Sequence, residues 1–194
     1  MTHKPGKGKA HGGPRWIPGD RRGKALVDRI VRVDHAGEYG ATRIYAGQIA
    51  VLGDRHPAAP ELRHMLEQEQ EHLQAFEKMI VERRVRPTAL TPLWHVAGFA
   101  LGAVTAAMGE KAAMACTVAI EEAIDEHYAG QARALEALPE EAELKSAVEK
   151  FRADELEHRN TALAHGAEQA LGYPVLSAAI KGGSRLAIWL SERV

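Results

Sequence analysis

Two short segments of the sequence place a glutamate three residues before a histidine. They are Glu69-Gln-Glu-His72 and Glu155-Leu-Glu-His158. In a helix, residues three apart lie on one face, so each segment can present a carboxylate and an imidazole to the same point. Carboxylate oxygens and imidazole nitrogens are ligands for transition-metal ions. The two segments therefore indicate a metal site.

A third segment, Glu61-Leu-Arg-His64, has the same spacing but a different position in the helical repeat. Glu69 and Glu155 interrupt apolar stripes that should face the interior of a helical protein. Glu61 is rotated about the helix axis by about 80° from Glu69. We therefore expect Glu61 and His64 to face the side and the end of a bundle, away from the metal site.

Two further glutamates interrupt apolar faces in the helices that precede these segments. Glu38 lies in a seven-residue apolar repeat with Val31 and Tyr45, and Glu121 shares one face with Tyr128. Each glutamate precedes its Glu-x-x-His segment by a similar interval, 31 residues in one case and 34 in the other. Such an interval allows one helix to finish, turn and return to the same level. The pattern predicts an internal repeat of two helix pairs.

Four buried carboxylates repel one another and lose their hydration, so they need compensating charge. Two divalent cations supply it. One Glu from each of two helices, with Glu-x-x-His from each of the other two, is the arrangement of ferritin-like di-iron and di-manganese proteins. The mixed oxygen and nitrogen donors favour Fe or Mn over structural zinc. The sequence therefore predicts an all-α, ferritin-like four-helix bundle with two metal ions, held by Glu38, Glu69, His72, Glu121, Glu155 and His158.

Pro and Gly residues divide the chain into six predicted helices. Four of them form the bundle, and the other two are an additional apolar crossover helix and a short C-terminal helix. In chain order, the predicted ranges are about 25–53, 61–84, 93–109 (the crossover helix), 110–138, 140–171 and 173–192.

The crossover helix is apolar along its whole length. At seventeen residues it is at the lower limit for crossing a bilayer, and it is rich in Ala and Gly rather than Leu. We therefore expect it to lie on a membrane surface or against a partner protein. The alternative is a helix packed into the protein's own core.

The basic charge is concentrated at the N-terminus. Residues 1–24 carry seven basic residues and one acidic residue, are rich in Gly and Pro and have no apolar face, so a disordered basic tail is predicted. Residues 25–194 would form a single domain. Because this domain is net acidic, nucleic acid is not expected as a partner.

For other polar residues near the predicted ligands, the sequence leaves alternative roles open. Asp34 and His35 lie about one turn before the glutamate of the first helix; either is a candidate to orient a ligand histidine, and a surface or capping role is the alternative. His127 and Tyr128 are candidate catalytic residues at a pocket mouth or on a redox path, with ordinary packing as the alternative. Glu122 is the second choice for the ligand of the fourth helix.

Several segments carry more information than the ligand spacing does. They are DHAGEYGA (34–41), RIYAGQ (43–48), RVRPT (84–88), PLW (92–94), GFALGA (98–103), AMACTVAIEE (113–122) and ELEH (155–158). They closely resemble the demethoxyubiquinone hydroxylases of ubiquinone biosynthesis, over about residues 29–194. Generic ferritin-like proteins share only the ligand spacing.

The resemblance implies a monooxygenase that uses O2 to hydroxylate the ring of a polyprenyl demethoxyubiquinol. It implies a centre of two Fe ions held by the six residues named above, with Glu69 and Glu155 as bridging carboxylates. The chain has no dinucleotide-binding glycine motif. The electrons must then come from an external reductant, for which NADH or a mediating quinol is implied.

The resemblance also implies a peripheral membrane protein. It would lie at the cytoplasmic face of the inner membrane in a bacterium, or at the mitochondrial inner membrane in a eukaryote. It would work with a lipid-binding partner protein of ubiquinone synthesis, and formation of a homo-oligomer stays open. Two rival functions are a ferroxidase or iron store, and a non-enzymatic helical scaffold at a membrane.

Overall fold

The computed structural model describes residues 23–194, and within that range it contains helices and no β-strand. The six α-helices are α1 (Lys24–Leu52), α2 (Ala59–Arg83), α3 (Thr91–Ala107), α4 (Glu110–Leu135), α5 (Ala142–Ala164) and α6 (Tyr173–Ser191). The predicted all-α bundle is confirmed. The predicted disordered tail falls on residues 1–22, outside the described residues, and on Gly23 and Lys24, where α1 begins.

One predicted helix is too long. The fifth helix ends at Ala164 rather than near Leu171. Gly166 adopts a positive φ of 78°, and a short 3-10 turn follows at Ala167–Gln169. A residue without a Cβ reaches this left-handed conformation at no steric cost, so Gly166 ends the helical path before the sequence pattern changes.

The bundle helices pack in two pairs, α1 with α2 and α4 with α5. Their apolar faces form two clusters that lie at different levels along the bundle. One cluster contains Ile30, Val31, Phe76, Leu144 and Phe151. The other contains Leu62, Met65, Met114, Val118 and Ala162. On every bundle helix the predicted metal ligands lie between residues of the two clusters, so the candidate site is enclosed by apolar packing at both levels.

Helix α3 lies against α1 through glycines. A Cβ atom on Gly102 would lie 2.0 Å from the carbonyl oxygen of Ile44, and one on Gly47 would lie 2.2 Å from the carbonyl oxygen of Phe99. These positions tolerate no side chain because backbone contacts backbone there. The glycine face of α3 is therefore buried on α1, while its opposite face is exposed.

We expect Gly102→Ala to destabilise the protein, because α1 and α3 would have to separate to admit the methyl group. Overpacking of this kind costs about 1–3 kcal/mol, which outweighs the gain of about 1 kcal/mol that alanine brings to a helix interior. Urea denaturation of the metal-free protein measures the free energy of unfolding. Gly182→Ala in α6 is the control, since a Cβ at Gly182 meets nothing within 4 Å. Equal effects of the two substitutions would contradict the close packing.

Candidate metal centre

Six buried side chains from the four bundle helices converge between the two apolar clusters. They form two groups, each with its candidate ligand atoms within 4.8 Å of one another. The first group is Glu38, Glu69, His72 and Glu155, and the second is Glu69, Glu121, Glu155 and His158. Each of the six is at most 2% exposed. Glu69 and Glu155 belong to both groups, so the arrangement has the form of two adjacent metal positions that share two carboxylates.

The other candidate metal ligands lie outside these two groups. Glu61 is half-buried and His64 is exposed, and neither belongs to the two groups. Glu122 forms an ion pair with Lys181 of α6. The structure therefore separates the third Glu-x-x-His segment and Glu122 from the six converging residues.

Both histidines aim the same nitrogen at the centre. The Nδ1 atom of His72 lies 3.3 Å from a carboxylate oxygen of Glu155 and 3.7 Å from one of Glu38. The Nδ1 atom of His158 lies 3.2 Å from a carboxylate oxygen of Glu155 and 3.3 Å from one of Glu69. Each imidazole is thus oriented to share an ion with the carboxylates around it.

The outward nitrogens of the two histidines have partners on the opposite helix. His72 Nε2 lies 3.1 Å from Asp154, and His158 Nε2 lies 3.0 Å from the side-chain oxygen of Gln68. Because both partners accept, the Nε2–H donates and Nδ1 is left free to bind metal. Asp34, which we expected as a candidate for this role, contacts Gln131 and His127 instead, so that interpretation is wrong.

The partners of the histidines have a signal in the sequence that helical phase alone does not reveal. Gln68 immediately precedes Glu69, and Asp154 immediately precedes Glu155. A polar residue at the same position in both Glu-x-x-His segments marks them as equivalent. Asp34 fails because it faces α4, whereas both histidines are on α2 and α5.

Two buried tyrosines hold the other two glutamates. The hydroxyl of Tyr45 donates to Glu121 at 2.7 Å, and the hydroxyl of Tyr128 donates to Glu38. Each tyrosine lies seven residues after the glutamate of its own helix and bonds to the glutamate of the other helix. These exchanged bonds relate the two halves of the site by an approximate two-fold symmetry.

Burial gives two of the carboxylates unusual titration behaviour. Burial raises the pKa of Glu69 and of Glu121 well above the ordinary value of 4.5, and the neighbouring charge of Glu155 raises both further. In the metal-free protein these carboxyls favour their protonated form. Metal binding must displace those protons.

The charges of the histidines act in the opposite direction. Burial opposes the ionised form of Glu155, but contacts with His158 and His72 outweigh it and lower its pKa to about 2. Burial likewise opposes the charged form of His72, but the nearby carboxylates of Glu155 and Glu38 raise its pKa to about 10. When no metal is bound, protons on His72, Glu69 and Glu121 therefore compensate the charge of the site.

The donor set fits two cations. The inward atoms without a hydrogen-bond partner among the described residues include Glu38 Oε2, both oxygens of Glu69, His72 Nδ1, Glu121 Oε2 and Glu155 Oε1. Buried polar atoms are costly when they stay unpaired, so such a set indicates a bound group. A helical bundle with this ligand pattern defines the ferritin-like dinuclear carboxylate class.

The chain belongs to the family described as ubiquinone biosynthesis protein COQ7, whose family model matches residues 25–191. A similar protein from Rhodospirillum rubrum, named 3-demethoxyubiquinol 3-hydroxylase, is 60% identical over 92% of this chain and 83% of its own length. The Homo sapiens relative, named NADPH-dependent 3-demethoxyubiquinone 3-hydroxylase, mitochondrial, is 55% identical over 90% and 81%. The Saccharomyces cerevisiae relative, named 5-demethoxyubiquinone hydroxylase, mitochondrial, is 45% identical over 88% and 79%. The family resemblance is confirmed.

We expect Glu69→Gln to abolish binding of about two metal ions per chain and to stabilise the metal-free protein. The wild-type carboxyl has a raised pKa, so its contribution to stability is complete below about pH 4.5 and is lost as the pH rises through the folded-state pKa. Glutamine avoids that loss. The gain should reach at most about 3.5 kcal/mol at pH 7 and vanish near pH 4, since each of the 2.5 pH units between 4.5 and 7 is worth about 1.4 kcal/mol.

Glu61→Gln is the matched control, because the same change is made in the segment outside the site. It should retain both ions and change the free energy of unfolding by less than about 0.5 kcal/mol. Metal analysis and denaturation at two pH values measure both properties. A variant at position 61 that empties the site, while the variant at position 69 stays loaded, would overturn the ligand assignment.

Proposed function

We propose that this chain hydroxylates the ring of a polyprenyl demethoxyubiquinol with O2. The observation that carries the proposal is the dinuclear donor set directly beside a large apolar cavity. The named hydroxylase relatives support the substrate class. The six converging side chains are the proposed ligands, with Glu69 and Glu155 bridging, and iron is the proposed metal because the donors are oxygen and nitrogen.

The apolar cavity has a volume of about 520 Å³ and lies between α1, α3, α4 and α6. Its walls include Gly37 and Ala41, which flank Glu38 along α1, and Ile120 and Ile124, which flank Glu121 along α4. An isoprenoid chain fits apolar walls of this kind. The quinol ring would approach the centre between α1 and α4, with its tail directed toward α3 and α6.

The reaction consumes two electrons and two protons for each O2, because one oxygen atom enters the ring and the other leaves as water. Bound iron would supply the reduction of O2. The protein's side chains orient the ligands: Asp154 and Gln68 fix the imidazoles, and Tyr45 and Tyr128 fix the carboxylates of Glu121 and Glu38. The apolar walls exclude water from the ring. The electrons would come from a reduced nicotinamide; NADH is the sequence-based expectation, while NADPH appears in the human relative's name.

The two helices α3 and α6, which line the cavity, also expose apolar side chains to solvent. They are Leu93, Val96 and Val104 on α3, Met108 just after α3, and Val175, Leu186 and Trp189 on α6. Exposed apolar side chains on helices that line a cavity indicate contact with lipid or with a partner. We propose peripheral association with a membrane, at the inner membrane in a bacterium, and docking of a lipid-binding partner protein on the same side.

Among the described residues, every helix is too short or too polar to cross a bilayer.

We expect iron-loaded, reduced protein to transfer one atom of labelled O2 to the ring of a short-tailed demethoxyquinol. Mass spectrometry of the product measures the label, and Glu69→Gln is the inactive control because it should bind no metal. Unlabelled product would exclude a monooxygenase. Iron oxidation without ring product, also with a long-tailed substrate and a reductant, would favour the ferroxidase alternative.

We expect the protein to bind neutral lipid vesicles. The double substitution Val96→Asp, Val104→Asp should weaken this binding at least tenfold, because each aspartate replaces exposed apolar surface with charge. Flotation with vesicles measures the bound fraction. Val81→Asp is the control, because Val81 is more exposed than either valine of α3 but lies on α2, away from the cavity. If both proteins float equally, α3 does not contact lipid.

A further inference from the structure

A second cavity, of about 230 Å³, lies between α1, α4 and the end of α6. It differs from the apolar cavity in chemistry, because its walls carry Arg29, Glu126, His127, Gln131 and Glu192. His127 keeps 18% of its side chain exposed there. This polar cavity therefore connects solvent with side chains that point toward the interior.

A hydrogen-bonded triad leads inward from this cavity. The side-chain nitrogen of Gln131 lies 2.7 Å from His127 Nε2 and donates to Asp34 Oδ1 at 2.6 Å. His127 Nε2 itself lies 3.5 Å from the same oxygen of Asp34. The triad thus joins a solvent-accessible imidazole to a carboxylate whose side chain is fully buried.

Asp34 lies one helical turn before Glu38, on the side of α1 that faces α4. Its second oxygen, Oδ2, is buried and has no hydrogen-bond partner among the described residues. Burial raises the pKa of Asp34 above its ordinary value of 3.8, although His127 opposes the shift. A buried carboxyl with a free oxygen and a raised pKa is suited to take up and release a proton.

The internal repeat offers a comparison within the same chain. The segment Tyr-Ala-Gly-Gln occurs at 45–48 in α1 and again at 128–131 in α4. At the positions equivalent to Asp34 and His127, the other half of the repeat has Thr117 and Ile44. Gln48, the equivalent of Gln131, contacts Thr117. The two halves therefore share the glutamine but only one half has groups that titrate.

The half of the repeat without titrating groups faces the apolar cavity, because Ile44 lines that cavity. In the other half, His127 and Gln131 line the polar cavity instead, with Asp34 behind them. The half of the repeat beside the apolar cavity thus has non-ionisable residues at the two positions where the half beside the polar cavity has ionisable ones. A purely structural role for the triad would not require this correspondence.

We propose that His127, Gln131 and Asp34 form a proton relay from the polar cavity to the Glu38 side of the metal centre. The proposal rests on the proposed hydroxylation, whose second oxygen atom needs two protons to leave as water. In each transfer, His127 takes a proton from solvent and passes it to the Asp34 carboxylate. Asp34 releases it toward the centre and returns to its ionised form, so no net charge accumulates on the triad.

Gln131 can form hydrogen bonds with its two neighbours both before and after the triad takes up a proton. When His127 is neutral, the two amide hydrogens donate to His127 Nε2 and to Asp34. When His127 or Asp34 carries the added proton, rotation of the amide presents Gln131 Oε1 as the acceptor. That oxygen is buried and unpaired among the described residues. Rotation therefore provides a bond that the present arrangement lacks.

The charged side chains around the polar cavity form ion pairs with one another. Arg29 lies 3.5 Å from Glu192, and Arg185 lies 2.8 Å from Glu126, so both cavity acids already have basic partners. Two other ionisable side chains lie near Asp34. They are Glu38, which is a proposed metal ligand, and Tyr128, whose hydroxyl donates to Glu38. His127 and Asp34 are therefore the two ionisable side chains that link the polar cavity to the interior.

The test measures a single turnover of reduced, iron-loaded protein with the short-tailed quinol and labelled O2. We expect His127→Ala to slow product formation by about 10²-fold, as for loss of a proton-transfer group. Added imidazole should enter the opened cavity and restore the rate, and substituted imidazoles should restore it according to their basicity. His165→Ala, at a histidine bonded to Glu110 away from the polar cavity, should match the wild type.

A second measurement does not depend on turnover. Metal-free His127→Ala protein should bind one imidazole per chain in a calorimetric titration, and the wild type and His165→Ala should bind none. A loss of activity below fivefold, a loss that no imidazole reverses, or the absence of imidazole binding would overturn the relay. Wild-type protein that forms no ring product would instead overturn the proposed function, and the relay with it.

Discussion

Burial of four carboxylates at one level of a helical bundle is the constraint on which the rest of the structure depends. Each carboxylate loses hydration and repels the other three, so the site is unfavourable without positive charge. Without bound metal, burial and neighbouring charge raise the pKa of Glu69 and Glu121 well above 4.5, and the surrounding carboxylates raise the pKa of His72 to about 10. Two apolar clusters enclose this charge, and they keep water from relieving it.

The repeated helix pair meets this constraint by exchanging contacts between its halves. Gln68 of α2 bonds to His158 of α5, and Asp154 of α5 bonds to His72 of α2. The tyrosines of α1 and α4 exchange bonds to the glutamates in the same way. Neither half alone completes a ligand set, so assembly of the centre and assembly of the bundle are the same event.

The sequence was sufficient to predict the helices, the six converging residues and the exclusion of Glu61 and His64, because all of these follow from helical phase. Phase does not say which neighbouring helix a side chain faces. Asp34 therefore remained ambiguous, and it contacts α4 rather than a ligand histidine. The glycine that ends α5 and the glycine contacts between α1 and α3 were missed for a related reason, since they depend on backbone conformation and distance between helices rather than on periodicity.

The differences between the two halves of the repeat, rather than their symmetry, explain how substrate and protons reach the metal centre. Helix α3 reaches α1 only because Gly47 and Gly102 allow backbone contact, and α6 closes against α4, so the apolar cavity forms on one side of the α1–α4 pair. On that side the repeat has Ile44. The equivalent position on the other side is His127, which faces a polar cavity. A reaction that joins an apolar ring, O2 and protons needs separate routes for lipid and for water. The same two helices provide both, because equivalent positions in the repeat carry residues of opposite character.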